Sequence, residues 1–352
     1  MKIVIVGGGV MGCASALALR ARGAEVVLLE RAVPGAEASS AAAGVLGAQI
    51  ESGASRSMLS TFVRARAQYI SWSRELREAT GIDVGHRVSG LLRVARTEQE
   101  HASLRSDVEW QAREGLRAEL LDARAAREIE PELGCEMLAA GYFPDESQVD
   151  PPALLRALVA ATARAGVDLR SGATVERLVV AKDRCVGVRL DDRDLHADAT
   201  VLAAGSWSSL VPGVPEELPK VRPARGQIVQ LEERPPRARA IVFGAGAYFV
   251  PRGDGRVICG STLELVGFQR AVTAGGVHGI LAGVLTLAPS MASAEISASW
   301  SNFRPYLGAA DAAPLMGSSP LPGLFLATGH HRNGILLAKE TADVVTRAIL
   351  GA

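Results

Sequence analysis

The run KIVIV, residues Lys2 to Val6, followed by Gly7, Gly9 and Gly12 at Gly-x-Gly-x-x-Gly spacing, constrains this chain more than any other stretch. An apolar, β-branched run of this kind reads as a buried parallel strand, and the Ala/Leu-rich residues after it read as a helix to about Arg22. Gly23 ends that helix, AEVVLLE supplies a second strand, and Glu30 closes it eighteen residues after Gly12. The glycines permit a tight turn and close backbone approach to a pyrophosphate at the helix N-terminus, while the acid can accept hydrogen bonds from a ribose. A dinucleotide site is therefore expected, and the fingerprint alone does not choose between NAD and FAD.

Two features favour flavin. No regular series of βα units follows; instead comes GAEASSAAAGVLGAQIE, a small-residue loop whose Ser39, Ser40, Ala43 and Gly44 would let backbone approach something flat. Much later, LHADATVLAAGSWS has strand character ending at Ala204 and Gly205, which gives the sheet another ligand-facing strand end.

The chain has 352 residues, 48% hydrophobic and 22% charged, with zero formal net charge. That length accommodates two domains with separate cores, and the charge balance gives no reason to expect nucleic acid or an anionic membrane surface as partner. Cys13, Cys135, Cys185 and Cys259 are far apart with no Cys-x-x-Cys pair, so neither a zinc site nor a disulfide framework is expected. No window reaches membrane-span length and the opening residues do not form a signal peptide, which makes a cytoplasmic enzyme the default.

Near the carboxyl end, LFLATGHHRNGILLAKETADVV reads as strand, tight turn and helix, with Asn333 as the N-cap. Arg332 would then sit at the positive end of a helix dipole, mildly unfavourable unless an anion lies nearby. From this stretch alone, a turn built around a negative ligand and a surface arginine that happens to precede a helix remain equally open.

Together these segments resemble the D-amino-acid-oxidase-type FAD oxidoreductases, and within them the glycine oxidases of thiamine biosynthesis. The resemblance runs nearly end to end. It rests on Gly7 to Gly12 with Glu30 and Arg31, SSAAAGVLG from Ser39, DESQVDP from Asp145, AAGSWS from Ala203, YFVPR from Tyr248, FRP from Phe303 and GHHRNGILLA from Gly329. It implies an α/β fold with a Rossmann-type FAD-binding domain assembled from residues 1–85, 146–220 and 310–352. An antiparallel-sheet substrate domain would take 86–145 and 221–309. The alternating stretches from Val88, Arg225, Ala247 and Arg256 fit such a sheet.

By position, the resemblance implies non-covalent FAD held by Gly7, Gly9, Val10, Met11 and Gly12 at the pyrophosphate and by Glu30 and Arg31 at the adenosine. Ser39, Ser40, Ala43, Gly44 and Val45 would follow along the second loop, Val175 at the adenine and Gly205 at the later strand end. The turn His330, His331, Arg332, Asn333, Gly334, Ile335 and Leu336 would lie under the isoalloxazine. Arg304 and Arg332 match substrate-carboxylate residues, and Tyr248 matches an aromatic that covers the pocket. Taken by itself, Arg304 could equally be a core arginine paired with an acid such as Asp311, and Tyr248 a strand tyrosine facing solvent.

The implied chemistry is oxidation of glycine or a small amine or D-amino acid by hydride transfer from the α-carbon to flavin N5. The products would be a 2-oxo acid, glyoxylate from glycine, with ammonia and hydrogen peroxide from oxygen, and the motifs supply no catalytic carboxylate. A D-amino-acid or sarcosine oxidase or dehydrogenase of the same fold is the alternative. A homo-oligomer is expected by resemblance. Leu263 and His331 depart from the glycine oxidase pattern and would alter which side chain is admitted, and Gly246 removes bulk near Tyr248, so a pocket roomier than glycine needs is expected.

Overall fold

The computed structural model describes residues 1–51, 56–309 and 312–351. The opening fingerprint folds as its residue types dictate. Strand β1 (Lys2–Val6) runs into helix α1 (Val10–Ala21), and Gly23, at φ +84°, turns the chain into strand β2 (Glu25–Glu30). These strands are parallel, Val6 lying opposite Leu29.

Four further strands complete this sheet. Asp168–Ser171 adds parallel to β2, while Ala199–Leu202 adds parallel to the other side of β1 and is followed by Leu324–Thr328, also parallel. Leu315–Ser318 closes that edge antiparallel. The carboxyl ends of β1, β2, Ala199–Leu202 and Leu324–Thr328 open side by side, the place where an open α/β sheet binds its ligand. Val4, Ile5, Leu28 and Val201 are buried in the sheet, helices α1, Pro151–Arg164 and Ala338–Leu350 lie against it, and Leu59–Thr80 packs on the last two.

The second sheet has eight strands in the order Glu295–Tyr306, Arg222–Glu232, Arg256–Gly260, Ala247–Pro251, Ile241–Gly244, Leu91–Ala95, Ala139–Phe143 and Glu119–Leu121. All neighbours are antiparallel except Ile241–Gly244 with Leu91–Ala95, which the alternating pattern does not distinguish. Its core gathers Leu92, Val229, Phe249 and Cys259 against Ile280, Val284 and Leu287 of the helix Ala274–Leu287. A small sheet of Val45–Leu46, Ser147–Gln148 and Arg87–Val88 connects the segments between the two large sheets.

The expected helix start at Asn333 needs correction. The helix begins at Ala338, its N-cap Leu337 makes no side-chain cap, and residues before it form a turn. Asn333 donates its backbone N–H to the His330 carbonyl at 2.8 Å, and its own carbonyl accepts from Leu337 at 2.9 Å. The buried side chains of Ile335, Leu336 and Leu337 pull this turn into the core before the helix starts, so apolar spacing begins earlier than helical geometry. The expected boundary at residue 310 lies outside the described residues.

The four cysteines are all buried and unbonded to one another. Among the described residues, no helix is long and apolar enough to cross a membrane.

Candidate active site

The strand ends converge on a continuous cleft of about 380 Å³, within the roughly 300–1,000 Å³ common for small-molecule and cofactor sites. One end is lined by Gly7, Gly9, Val10, Met11, Glu30 and Arg31, and Ala173, Val175, Ala204 and Gly205 continue the wall. Ser39, Ala43, Gly44 and Val45 form a second side, and His330 to Ile335 the third. Tyr248, Arg304 and Arg332 line it too.

At the first end, α1 starts at Gly9 with no side-chain cap and no acid in its first turn. The Ser39 hydroxyl accepts the Val10 backbone N–H at 3.0 Å. Glu30 accepts N–H groups from Gly8 at 2.8 Å and Ala32 at 3.0 Å, which orients its carboxylate at the end of β2. A Cβ on Gly9 would meet only Ser39 Oγ, at 3.2 Å, and so would occupy the cleft. A helix N-terminus whose cap residue has no side chain, a glycine that borders the cleft and an oriented acid suit the pyrophosphate and ribose of FAD.

Three expected contacts do not line the cleft: Gly12, Ser40 and Leu336. A Cβ on Gly12 would strike the Gly7 carbonyl, so this glycine serves the packing of α1 against β1. Ser40 Oγ donates to the Gly35 carbonyl, and Leu336 is core. Gly44 does line the cleft, yet its φ of +77° and its contact with the Val149 carbonyl are what exclude a side chain there.

Arg304 extends from the edge strand across Gly226, where a Cβ would overlap the guanidinium, and Gly260 leaves similar room for the Tyr248 ring. The Arg304 fork donates from Nη1 to the Thr262 carbonyl at 3.0 Å and from Nη2 to Ser261 Oγ at 2.8 Å. Among the described residues no carboxylate pairs with it; Asp311, the acid considered as its core partner, lies outside them. Burial pulls the Arg304 guanidinium below its ordinary pKa, Tyr248 opposes that shift and nearby Arg332 adds to it, and the group remains a cation. Tyr248 is partly buried and stacks on Phe243, centroids 5.0 Å apart, rather than facing solvent.

Arg332 differs from expectation. It lies well before the helix Ala338–Leu350, and its Nη2 is 3.0 Å from Glu51 Oε1, so its anion is a residue of this chain. Glu51, which the sequence reading did not single out, lines the same cleft. It ends the very loop quoted for its small residues, but its spacing gave no hint of which strand end it would face. Trp207 was missed likewise; the Arg31 guanidinium lies 3.9 Å from its ring centroid, and Phe268 stacks on it at 5.0 Å.

The two histidines are held neutral. Burial pushes His330 down to about 3, and its Nε2 lies 2.9 Å from Thr341 Oγ1. Burial, with the charges of Arg304 and Arg332, pushes His331 down to about 4. His331 adopts a left-handed φ of +47°, and its ring lies 4.9 Å from Tyr306. Leu263 is exposed and, like Gly246, does not line the cleft, so neither borders the pocket as the sequence suggested.

The family profile described as FAD dependent oxidoreductase matches residues 2–348. The chain belongs to this family. It is 37% identical to the glycine oxidase of Geobacillus kaustophilus over 354 residues, 98% of this chain and 93% of that protein. The crystal structure of the glycine oxidase from Geobacillus kaustophilus superposes with a TM-score of 0.94 at 34% identity, covering 99% of this chain and 95% of that one. A bifunctional ThiO/ThiG protein from Nostoc is 36% identical over 99% of this chain, and the chain spans 52%, about half, of that relative's length. The α/β architecture and FAD as the family cofactor stand on these matches.

Proposed function

We propose that this protein oxidises glycine or a similarly small amino acid, sarcosine and small D-amino acids included, to the imino acid, whose hydrolysis gives the 2-oxo acid with ammonia from a primary amino acid and methylamine from sarcosine. The observation that carries this reading is Arg304: a guanidinium in the FAD-family cleft, fixed by Thr262 and Ser261 and without a carboxylate partner among the described residues. A planar fork so placed suits a bidentate carboxylate.

FAD, when bound, supplies a two-electron acceptor for the α-carbon hydrogen, with oxygen as the final oxidant and hydrogen peroxide as its product. Gly7, Gly9, Val10, Met11 and Glu30 would hold its pyrophosphate and adenosine end, and His330 to Ile335 would border its ring system. Arg304 anchors the substrate carboxylate, which fixes where the α-carbon sits; such positioning is a large part of what an oxidase active site contributes. Tyr248, braced by Phe243, covers the substrate and excludes water. His331 stays neutral at ordinary pH and so does not take up the ammonium proton.

The proposal extends to non-covalent FAD, a cytoplasmic homo-oligomer, a role in thiamine biosynthesis, and a division into an FAD domain of 1–85, 146–220 and 310–352 and a substrate domain of 86–145 and 221–309. The test is peroxide formation by FAD-loaded protein from glycine, sarcosine, D-alanine and D-proline, with an anaerobic titration of the flavin absorption band. Bleaching by at least one of these and peroxide on admitting air are expected. Bound flavin that none of the four bleaches refutes the reading, and bleaching without rapid recovery in air favours a dehydrogenase.

A further inference from the structure

Among the described residues, Arg304, Arg332 and Glu51 bring two guanidinium groups and one carboxylate to the substrate end of the cleft. Glu51 Oε1 lies 3.0 Å from Arg332 Nη2, and of the two side chains the acid is the less exposed, 19% against 48%. Among the described residues Arg304 bonds to neutral partners, the Thr262 carbonyl, the Ser261 hydroxyl and the Tyr248 side chain, and to no carboxylate. These three groups therefore carry one net positive charge, enough for one substrate carboxylate.

Glu51 is not a freely swinging side chain on a loose loop. The buried Glu146 carboxylate accepts the backbone N–H groups of Ala48 at 3.0 Å, Gln49 at 2.7 Å and Ile50 at 2.9 Å, and Arg66 Nη1 lies 2.9 Å from the same group. Glu51 donates its own N–H to the Gly47 carbonyl at 3.2 Å. The backbone that carries the acid is thus fixed by a group deep in the core, and its charge reaches Arg304 as well, where it favours the cationic form.

We propose that Glu51 is a specificity-determining residue: by occupying Arg332 it leaves Arg304 as the sole carboxylate site, so that the cleft prefers monocarboxylate amines and rejects those bearing a second carboxylate. A dicarboxylate would have to displace Glu51 or leave its own second charge beside it, and like charges at this range are a repulsive element against the wrong ligand. This rests on the proposed amino acid oxidation.

The test uses the FAD-loaded protein and two unreactive probes, acetate and malonate. Their dissociation constants are read from perturbation of the flavin absorption band and, independently, from the concentration dependence of thermal unfolding. Glu51→Gln frees Arg332 and should raise malonate affinity relative to acetate by about tenfold, the pair being half exposed and so of moderate strength. The ratio of kcat/KM for iminodiacetate to that for glycine should rise with it. A relative affinity unchanged within about twofold overturns the proposal.

Should Glu51→Gln lose FAD, Arg332→Gln decides instead. It leaves the Glu51 charge uncompensated and should weaken acetate several-fold without improving malonate; unchanged acetate binding there overturns the proposal. Wild-type protein that binds neither probe and oxidises no amino acid removes the underlying reading itself. Wild-type binding of acetate with no effect of either variant removes only the role of Glu51.

Discussion

Arg252 Nη2 donates to the backbone carbonyl of Ala43 at 2.6 Å, across the seam where the second sheet meets the small-residue loop of the cleft. The same guanidinium bonds Gln148 Oε1, and burial pushes it down to about 10. Arg252→Met removes both bonds and leaves the Gln148 amide and the Ala43 carbonyl short of a donor, which costs about 2–4 kcal/mol. The Ala43–Val45 backbone should loosen, so urea unfolding should show the stability loss and fluorescence titration a higher FAD dissociation constant. Unchanged FAD affinity in a destabilised variant would confine Arg252 to a structural role.

Arg304→Ala should lower kcat/KM for glycine by about tenfold to 150-fold, the equivalent of roughly 1.5–3 kcal/mol for a lost charge-assisted pair. Arg304→Lys should recover part of this, because an ammonium cannot reproduce the fork or keep both the Thr262 and Ser261 bonds. Steady-state kinetics with flavin content measured alongside checks it; wild-type kcat/KM in the alanine variant sinks the carboxylate assignment.

Two fingerprint glycines should fail in different ways. A Cβ at Gly9 meets only Ser39 Oγ, at 3.2 Å, so Gly9→Val should still fold yet bind no FAD. Gly12→Ala collides with the Gly7 carbonyl and should lose stability as the first symptom. Acid precipitation of the wild-type protein should leave its yellow colour in the supernatant. A Gly9→Val protein that retains flavin would relocate the pyrophosphate.

The histidines set a pH dependence of stability. Both have folded pKa values below the ordinary 6.5, about 3 for His330 and about 4 for His331, so the unfolded chain binds more protons as pH falls through 6.5. Stability should therefore decline with acidification, by up to about 1.4 kcal/mol per pH unit for each histidine between its two pKa values. His331→Asn tolerates the left-handed backbone and does not titrate; urea unfolding between pH 7 and 5 should show a shallower slope for it. An identical slope would mean that His331 is as accessible to protons folded as unfolded.

How much of this was readable follows the range of the interactions. The β1–α1–β2 unit was legible because strand, glycines, helix and acid are adjacent in sequence and each residue type has a local reason. Tyr248 and Arg304 were reached through resemblance, but the space they occupy is made by Gly260 and Gly226, which no pattern flags because their partners are cross-strand neighbours. Arg332 was read against a helix dipole because Asn333 looks like a cap; the buried Ile335 to Leu337 turn delays the helix, and Glu51, 281 positions earlier (332 − 51), supplies the anion. Charge pairing at that separation leaves no periodic trace.

Ile3 lies opposite Ala199, and Thr200 in turn opposite Leu324, so the central sheet is stitched from segments nearly the whole chain apart. During synthesis, β1 emerges early and has no partner on that side until some two hundred residues later. Closing such large loops is slow, and the exposed apolar strand must be shielded meanwhile. The wall formed by His330 to Ile335 arrives last of all. A complete cofactor site therefore needs both ends of the chain in place, and the colour of the protein is a reporter that its first and last strands have joined one sheet.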